Sequence, residues 1–314
     1  MSSSIRNSER LPLSFYLQVL FCAVLWGSAF PVIKNSYSAL NIQSYGEQLV
    51  FAGSRFTLAG LMVLPFCRRR FVESISRAPK VGLAAVMLGQ TYFQYLFFYY
   101  ALSVSTGTLG AILVGAGSFW WMLLAPLILK TPKPHGIHWL LFAGCTLGVL
   151  CAVYTPGLPM RNVGIGVLAF LAASFSGAVA ATYMKIVAPV SGSRTTTSFS
   201  LATGGLLLLL TALPSWSAYL SHFNWTTFWV TLYLAFLSAA AFTVWNRLIE
   251  IYSVNLLSTY RFLIPLMGVL ESILFIPDER LRPGVVFGTL IVLSCLVMMS
   301  RVGDAAMAGR GIRP

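Results

Sequence analysis

Two arginines, Arg55 and Arg261, stand inside long apolar runs, where a charge is costly and is kept for a cavity or a partner. Arg261 lies about two helical turns into its run, with Ser258 and Pro265 on the same helical face. A guanidinium so placed suits a carboxylate, because its planar donor fork matches two acceptor oxygens. Glu271 follows ten residues later, a rise of ~15 Å, so it is too far along the helix to pair with Arg261. Arg55 and Glu271 both fall in the outer half of the bilayer on the orientation given below. An ion pair between them and a role in transport both stay open.

Polar and aromatic residues recur around these charges. Gln90 and Gln94 are one turn apart with Thr91 beside them, and Tyr95 and Tyr99 occupy the adjoining face. Ser238, Phe242, Trp245 and Asn246 form a stripe in a later run. Trp26, Phe30, Tyr183 and Tyr260 add aromatic surface from three other runs. Trp26, Tyr95, Trp245 and Tyr260 lie deeper than an interfacial aromatic belt, which favours a cavity lining, with ordinary helix packing as the alternative. The candidate substrate-binding residues are therefore Trp26, Phe30, Gln90, Gln94, Tyr95, Tyr99, Tyr183, Trp245, Asn246, Tyr260 and Arg261. Pro31, Arg55, Pro265 and Glu271 are candidates for a gate or a structural charge.

This chemistry is binding and passage, not bond-making. His135, His138 and His222 lie between runs without a carboxylate partner or metal-ligand spacing. Cys22, Cys67, Cys145, Cys151 and Cys295 lie in or beside apolar runs and form no disulfide or metal pattern. No GxxxxGK[ST] phosphate loop is present, so an ATP-driven pump is not supported. Neither a metal nor a cofactor is expected. A lipid-modifying membrane enzyme would need clustered acids, histidines or cysteines at the membrane edge, and with 8 Asp plus Glu the chain offers no such cluster.

The elements that must position these residues follow from composition. Of 314 residues, 57% are hydrophobic and 9% charged, with a mean hydropathy of +0.79. Soluble domains are about 25% charged, so the chain reads as an all-α polytopic membrane protein. Its partners are a lipid bilayer and a small-molecule substrate. The net charge of +13 does not imply nucleic acid, because the charges fall in short gaps between apolar runs. Both a monomer and a homodimer stay open.

Apolar runs occupy about 13–34, 46–66, 81–101, 105–129, 136–154, 163–185, 196–214, 227–247, 254–276 and 284–300. With the N-terminus inside, fifteen of the 21 Lys and Arg fall on the cytoplasmic side and four outside, Arg55 and Arg261 remaining within spans. That split predicts ten spans with both termini cytoplasmic, in the inner membrane. The first run follows Arg6 and Arg10 but is long for a signal peptide, so it reads as a retained helix.

The two halves resemble each other. "RFTLAGLMVLP" (55–65) recurs in outline as "SFSLATGGLLLLLTALP" (198–214), "ALSVSTGTL" (101–109) as "IYSVNLLST" (251–259), and "FAGCTLGVL" (142–150) as "VFGTLIVLS" (286–294). Five helices per half would make the halves inverted repeats, a secondary-transporter device with its site near the midplane. The expected units are 13–155 and 162–300, between tails 1–12 and 301–314. Gly107, Ala111 and Gly115, with GxxxG at Gly144/Gly148 and Gly284/Gly288, predict close helix packing, between repeats or in a dimer seam.

"LWGSAFPVIK" (25–34), "SRFTLAG" (54–60), "FFYYALSVSTGTLGAIL" (97–113) and "FLIPLMGVLESILFIPDERLRPGVVFGTLIV" (262–292) together resemble the EamA type of drug/metabolite transporter. The likeness covers nearly the whole chain. It places Arg55 on the family's recurrent arginine, and Pro265 and Glu279 on its proline and glutamate. It implies a ten-helix inverted repeat that moves amino acids or other small metabolites, in bacteria commonly outward. Import or exchange of a nucleotide-like or cofactor-like metabolite is the alternative. "VGAGSF" (114–119) lacks the family's proline, "LKTPKPH" (129–135) lacks its acidic residue, and Glu271 stands in a usually uncharged stretch. WGSAFPVIK itself reads as a gate or as a static kink that shapes packing: Gly27 and Ser28 admit a neighbouring helix, and Pro31 permits a bend.

Overall fold

The computed structural model describes residues 11–67, 70–104, 107–131, 133–134, 136–153, 163–275 and 283–310. Helices dominate, and among the described residues there is no strand. The elements are α1 (Leu13–Ala39), α2 (Tyr45–Val63), α3 (Phe71–Arg77), α4 (Lys80–Met87), α5 (Phe93–Val104), α6 (Gly107–Leu129), α7 (Gly136–Val153), α8 (Val163–Ser191), α9 (Ser193–Thr211), α10 (Trp216–Ser221), α11 (Trp225–Ile251), α12 (Val254–Tyr260), α13 (Leu263–Phe275) and α14 (Pro283–Arg310). A π-turn, Leu88–Tyr92, joins α4 to α5.

Five described segments are long and apolar enough to cross a membrane: Leu13–Ile33, Tyr45–Phe66, Lys80–Val104, Gly164–Ser191 and Trp225–Ile251. A sixth combines Ser193–Thr211 with Leu213–Ser221, bent by 68°. Shorter apolar helices lie at Gly117–Leu129, Gly136–Gly148 and Val286–Cys295.

Local sequence sets the helix starts. Ser44 accepts the Glu47 N–H at 3.2 Å while the Glu47 carboxylate accepts the Ser44 N–H at 2.8 Å, a reciprocal cap that starts α2. Asn224 and Thr227 cap α11 in the same way. Between α8 and α9 the chain reverses at Gly192, whose φ of 86° a side chain would oppose.

Packing between the two halves runs through small residues. A Cβ on Gly53 would lie 2.9 Å from the Leu209 nitrogen, and one on Gly60 would strike the backbone of Ala202. As the α2 number rises its α9 partner's number falls, so these two helices run antiparallel. α7 and α14 meet likewise: a Cβ on Gly148 would lie 2.8 Å from the Gly288 carbonyl, and one on Gly144 2.7 Å from the Cys295 sulfur. The two GxxxG pairs thus pack against each other within one chain. The side chains of Ala111 and the neighbouring residues 107–116 lie outside the description.

One expected span is broken. The run 254–276 divides at Arg261 and Phe262 into α12 and α13. Pro265 has no N–H to give the Arg261 carbonyl one turn before it, and its ring crowds that carbonyl. The carbonyl accepts from the Ile264 N–H at 3.0 Å instead, tightening the turn.

Candidate functional site

A cavity of about 140 Å³ lies where α1, α2, α5, α6, α8 and α11 meet the α12–α13 break. Trp26, Ala29 and Ile33 line it from α1, Arg55 from α2, and Gln90 from the π-turn. Gln94, Tyr95 and Phe98 come from α5, and Trp121 from α6. Phe170, Ala173, Ser174, Gly177 and Ala181 form the α8 wall, with Phe242, Trp245, Asn246 and Ile249 on α11. Arg261 and Ile264 come from the break itself.

The aromatic walls interlock through edge-to-face and tilted ring pairs. Trp26 meets Phe242 with ring centroids 5.2 Å apart and Trp245 at 5.5 Å, while Phe56 holds Tyr95 at 4.1 Å. Such pairs fix ring positions as well as burying area.

The polar wall is a hydrogen-bonded chain. Asn246 donates from Nδ2 to Gln90 Oε1 at 3.0 Å and to Thr197 Oγ1 at 2.8 Å, and Gln90 Nε2 donates to Ser200 Oγ at 2.9 Å. The network ties α11 and α9 to the π-turn. A π-turn inserts a residue into the helix, and such turns recur at functional sites. Beyond it the lining continues through Gln94, Tyr95 and Phe98 on α5. Gln94 itself packs directly on Gly177, where a Cβ would strike its amide oxygen.

The two arginines are held differently. Arg55, 2% exposed, donates from Nε to Ser238 Oγ at 2.9 Å, and its Cζ lies 4.7 Å from the Phe56 ring centroid. Ser238 Oγ donates in turn to the Leu234 carbonyl at 2.7 Å, which fixes the anchor. Arg261 lays its guanidinium over Trp121, Cζ 4.8 Å from the centroid, and against Gly117, where a Cβ would sit 3.2 Å from Nη2. Among the described residues, the Arg261 side chain makes no hydrogen bond or ion pair. The ion pairs described, Glu73 with Arg70 and Arg77 and Glu250 with Arg247, lie elsewhere.

The pairing left open between Arg55 and Glu271 is not made. Arg55 is taken up by Ser238, and Glu271, 6% exposed on α13, has neither carboxyl oxygen hydrogen-bonded. Their helices face different neighbours, α2 packing on α9 and α11 while α13 packs chiefly on α1.

Seven of the candidate substrate-binding residues meet in the cavity, Trp26, Gln90, Gln94, Tyr95, Trp245, Asn246 and Arg261, and Arg55 joins them. Tyr99, Tyr183 and Tyr260 stand outside its lining. Tyr99 is buried one turn beyond Tyr95, with ring centroids 6.3 Å apart. Tyr183 packs against Gly82 on α4. Tyr260 turns about 100° from Arg261 around the helix and meets the rings of Phe15 at 5.1 Å and Tyr16 at 6.1 Å. The side chains of Phe30 and Lys34, and Glu279 entirely, lie outside the described residues. Pro31 is buried within α1 between the lining positions Ala29 and Ile33. A turn earlier, a Cβ on Gly27 would come within 2.9 Å of the backbone at Met267 and Gly268, so α1 touches α13 there.

Trp121, Phe98, Phe170, Ser174 and Gly177 were not legible as lining residues. Apolar and small residues on a membrane helix carry no mark separating a cavity face from a lipid or packing face.

Residues 164–301 match the EamA-like transporter family. The Uncharacterized transporter YvbV of Bacillus subtilis (strain 168) is 24% identical over 304 residues, covering 93% of each chain. A solved crystal structure superposes with a TM-score of 0.73 over 92% of this chain and 98% of its own, and at 15% identity that likeness concerns the fold alone. Helices of membrane-crossing length around an internal cavity, a match to the EamA-like transporter family through residues 164–301 and similarity to a transporter along nearly the whole length point to a multi-pass membrane transporter of the EamA type rather than to an enzyme.

Proposed function

We propose that the chain carries small carboxylate-bearing metabolites, amphipathic or aromatic and with amino acids among them, out of the cell by alternating access. The observation that carries this reading is Arg261. Its guanidinium stands at a break between two half-helices, faces an aromatic cavity and has no hydrogen-bonding partner among the described residues. Broken helices at a cavity are where secondary transporters bind their substrates. An unpaired charge inside a membrane protein is costly unless it has such a use. The outward direction follows the family resemblance.

The transport cycle would rest on ten spans in two five-helix repeats, 13–155 and 162–300, with both termini cytoplasmic in the inner membrane. Support comes from the packing: α2 lies on α9 and α7 on α14, and the contact of α1 with α13 corresponds to that of α8 with α6 when the halves are exchanged. Rocking of the repeats about the antiparallel α2–α9 seam would open the cavity to each side in turn.

Uptake by proteoliposomes containing the purified chain tests the reading. Saturable movement of labelled carboxylates, amino acids included, is the expected result. Indifference to every carboxylate offered would overturn it.

A further inference from the structure

The proposed carboxylate site holds two positive charges, not one. Arg55 reaches the cavity from α2 and Arg261 from the α12–α13 break, and among the described residues no Asp or Glu lines it. Each guanidinium is fixed by a different neighbour, Arg55 by Ser238 on α11 and Arg261 by Trp121 on α6. Among the described residues, the Ser238 bond through Nε is the Arg55 side chain's hydrogen bond, and the Arg261 side chain makes none, which leaves both Nη groups of the first and all five donors of the second for a ligand. Tyr95 lines the same cavity and packs on Phe56, the ring beside the Arg55 guanidinium.

A monocarboxylate would neutralise one of these charges and leave the other buried without a counter-ion, which is unfavourable in a low-dielectric interior. A zwitterionic amino acid would do worse, because its ammonium group finds no carboxylate in the lining. An anion with a negative group at each end of an apolar body satisfies both guanidinium forks and lays its body against the aromatic lining of the cavity.

We infer that the preferred cargo is an organic dianion, its two carboxylates set apart by an apolar or aromatic body and bound by Arg55 and Arg261 together. This rests on the carboxylate reading of the same cavity. It gives Arg55 a substrate-contacting role in place of a purely structural one. A cargo that bridges α2 to the α12–α13 break also joins elements from the two halves of the chain, so its binding would draw them together.

The test is thermal stabilisation of the full-length protein in detergent, read as apparent Kd. The probes are terephthalate and phenylsuccinate as dianions, benzoate and 3-phenylpropionate as monoanions, and phenylalanine as the zwitterion. The dianions are expected to bind about tenfold tighter than the monoanions or more. Phenylalanine is expected to bind weakest. Arg55→Gln should erase the preference for dianions while monoanions still bind, and Arg55→Lys should keep part of it. Equal affinity for monoanions and dianions in the wild-type protein would overturn the dianion assignment and leave the carboxylate reading standing. So would a preference that survives in Arg55→Gln. Absence of binding by all five probes would overturn both. The wild-type comparison decides the matter even where Arg55→Gln does not fold.

Discussion

The Arg261 guanidinium lies over the indole of Trp121, Cζ 4.8 Å from the ring centroid, with Gly117 one turn away leaving room for its Nη atoms. The ring face stabilises the cation without consuming its hydrogen-bond donors, which are unused among the described residues. Cavity, helix break and aromatic wall converge on this pair.

Replacing Trp121 separates its ring from its bulk. Trp121→Leu should raise the KM for transport roughly 2- to 30-fold, the value of a cation–π contact of about 0.5–2 kcal/mol. Trp121→Phe should keep most of the affinity. Equal KM values for Leu, Phe and wild type in proteoliposomes would show that the ring does not position Arg261.

The Asn246 amide joins three helical elements. Asn246→Leu leaves Gln90 Oε1 and Thr197 Oγ1 without their donor in a buried setting, at a cost of about 1–3 kcal/mol. The melting temperature in detergent should fall, and Gln90 should lose its fixed position at the cavity wall. An unchanged melting temperature would mean that the network adds nothing to the fold.

Pro265 accounts for the break beneath Arg261. Pro265→Ala restores an N–H that can reach the Arg261 carbonyl and straighten α12 into α13, which swings the guanidinium away from Trp121. The variant should fold as well as wild type while transporting with a raised KM. Transport kinetics equal to wild type would mean that the break is incidental.

Glu271 is buried with both carboxyl oxygens unpartnered. An ionised carboxylate would be strongly disfavoured there, so a neutral amide of the same shape fits as well. Glu271→Gln should hold or raise the melting temperature. A clear fall would reveal a favourable interaction of the charged group.

How far the sequence could be read varies with residue type. Arg261, Gln90, Gln94 and Asn246 stood out because polar groups at lipid depth are expensive, and Trp26, Tyr95 and Trp245 because aromatics that deep do not belong to a belt. Tyr260 shared that signature, and Tyr99 and Tyr183 were chosen as further aromatic surface, yet periodicity alone cannot choose which side of a wholly apolar helix faces inward. The π-turn at Leu88–Tyr92 has no compositional mark either. Pro265 was visible, and its missing N–H explains the break, but an interior proline alone does not say whether a helix bends or divides. Pro31 lies inside the continuous α1, whereas Pro265 follows a break. The GxxxG pairs at Gly144/Gly148 and Gly284/Gly288 left packing between repeats and a dimer seam equally open. Only the fold shows each facing the other.

The most direct measurement compares saturable uptake of a labelled carboxylate into proteoliposomes bearing wild-type protein and Arg261→Gln, both monodisperse with matched melting temperatures. If Arg261 receives the carboxylate, kcat/KM falls by about tenfold or more in the variant, the loss of a charge-assisted hydrogen-bonded contact. Equal kcat/KM in the two proteins would contradict the account.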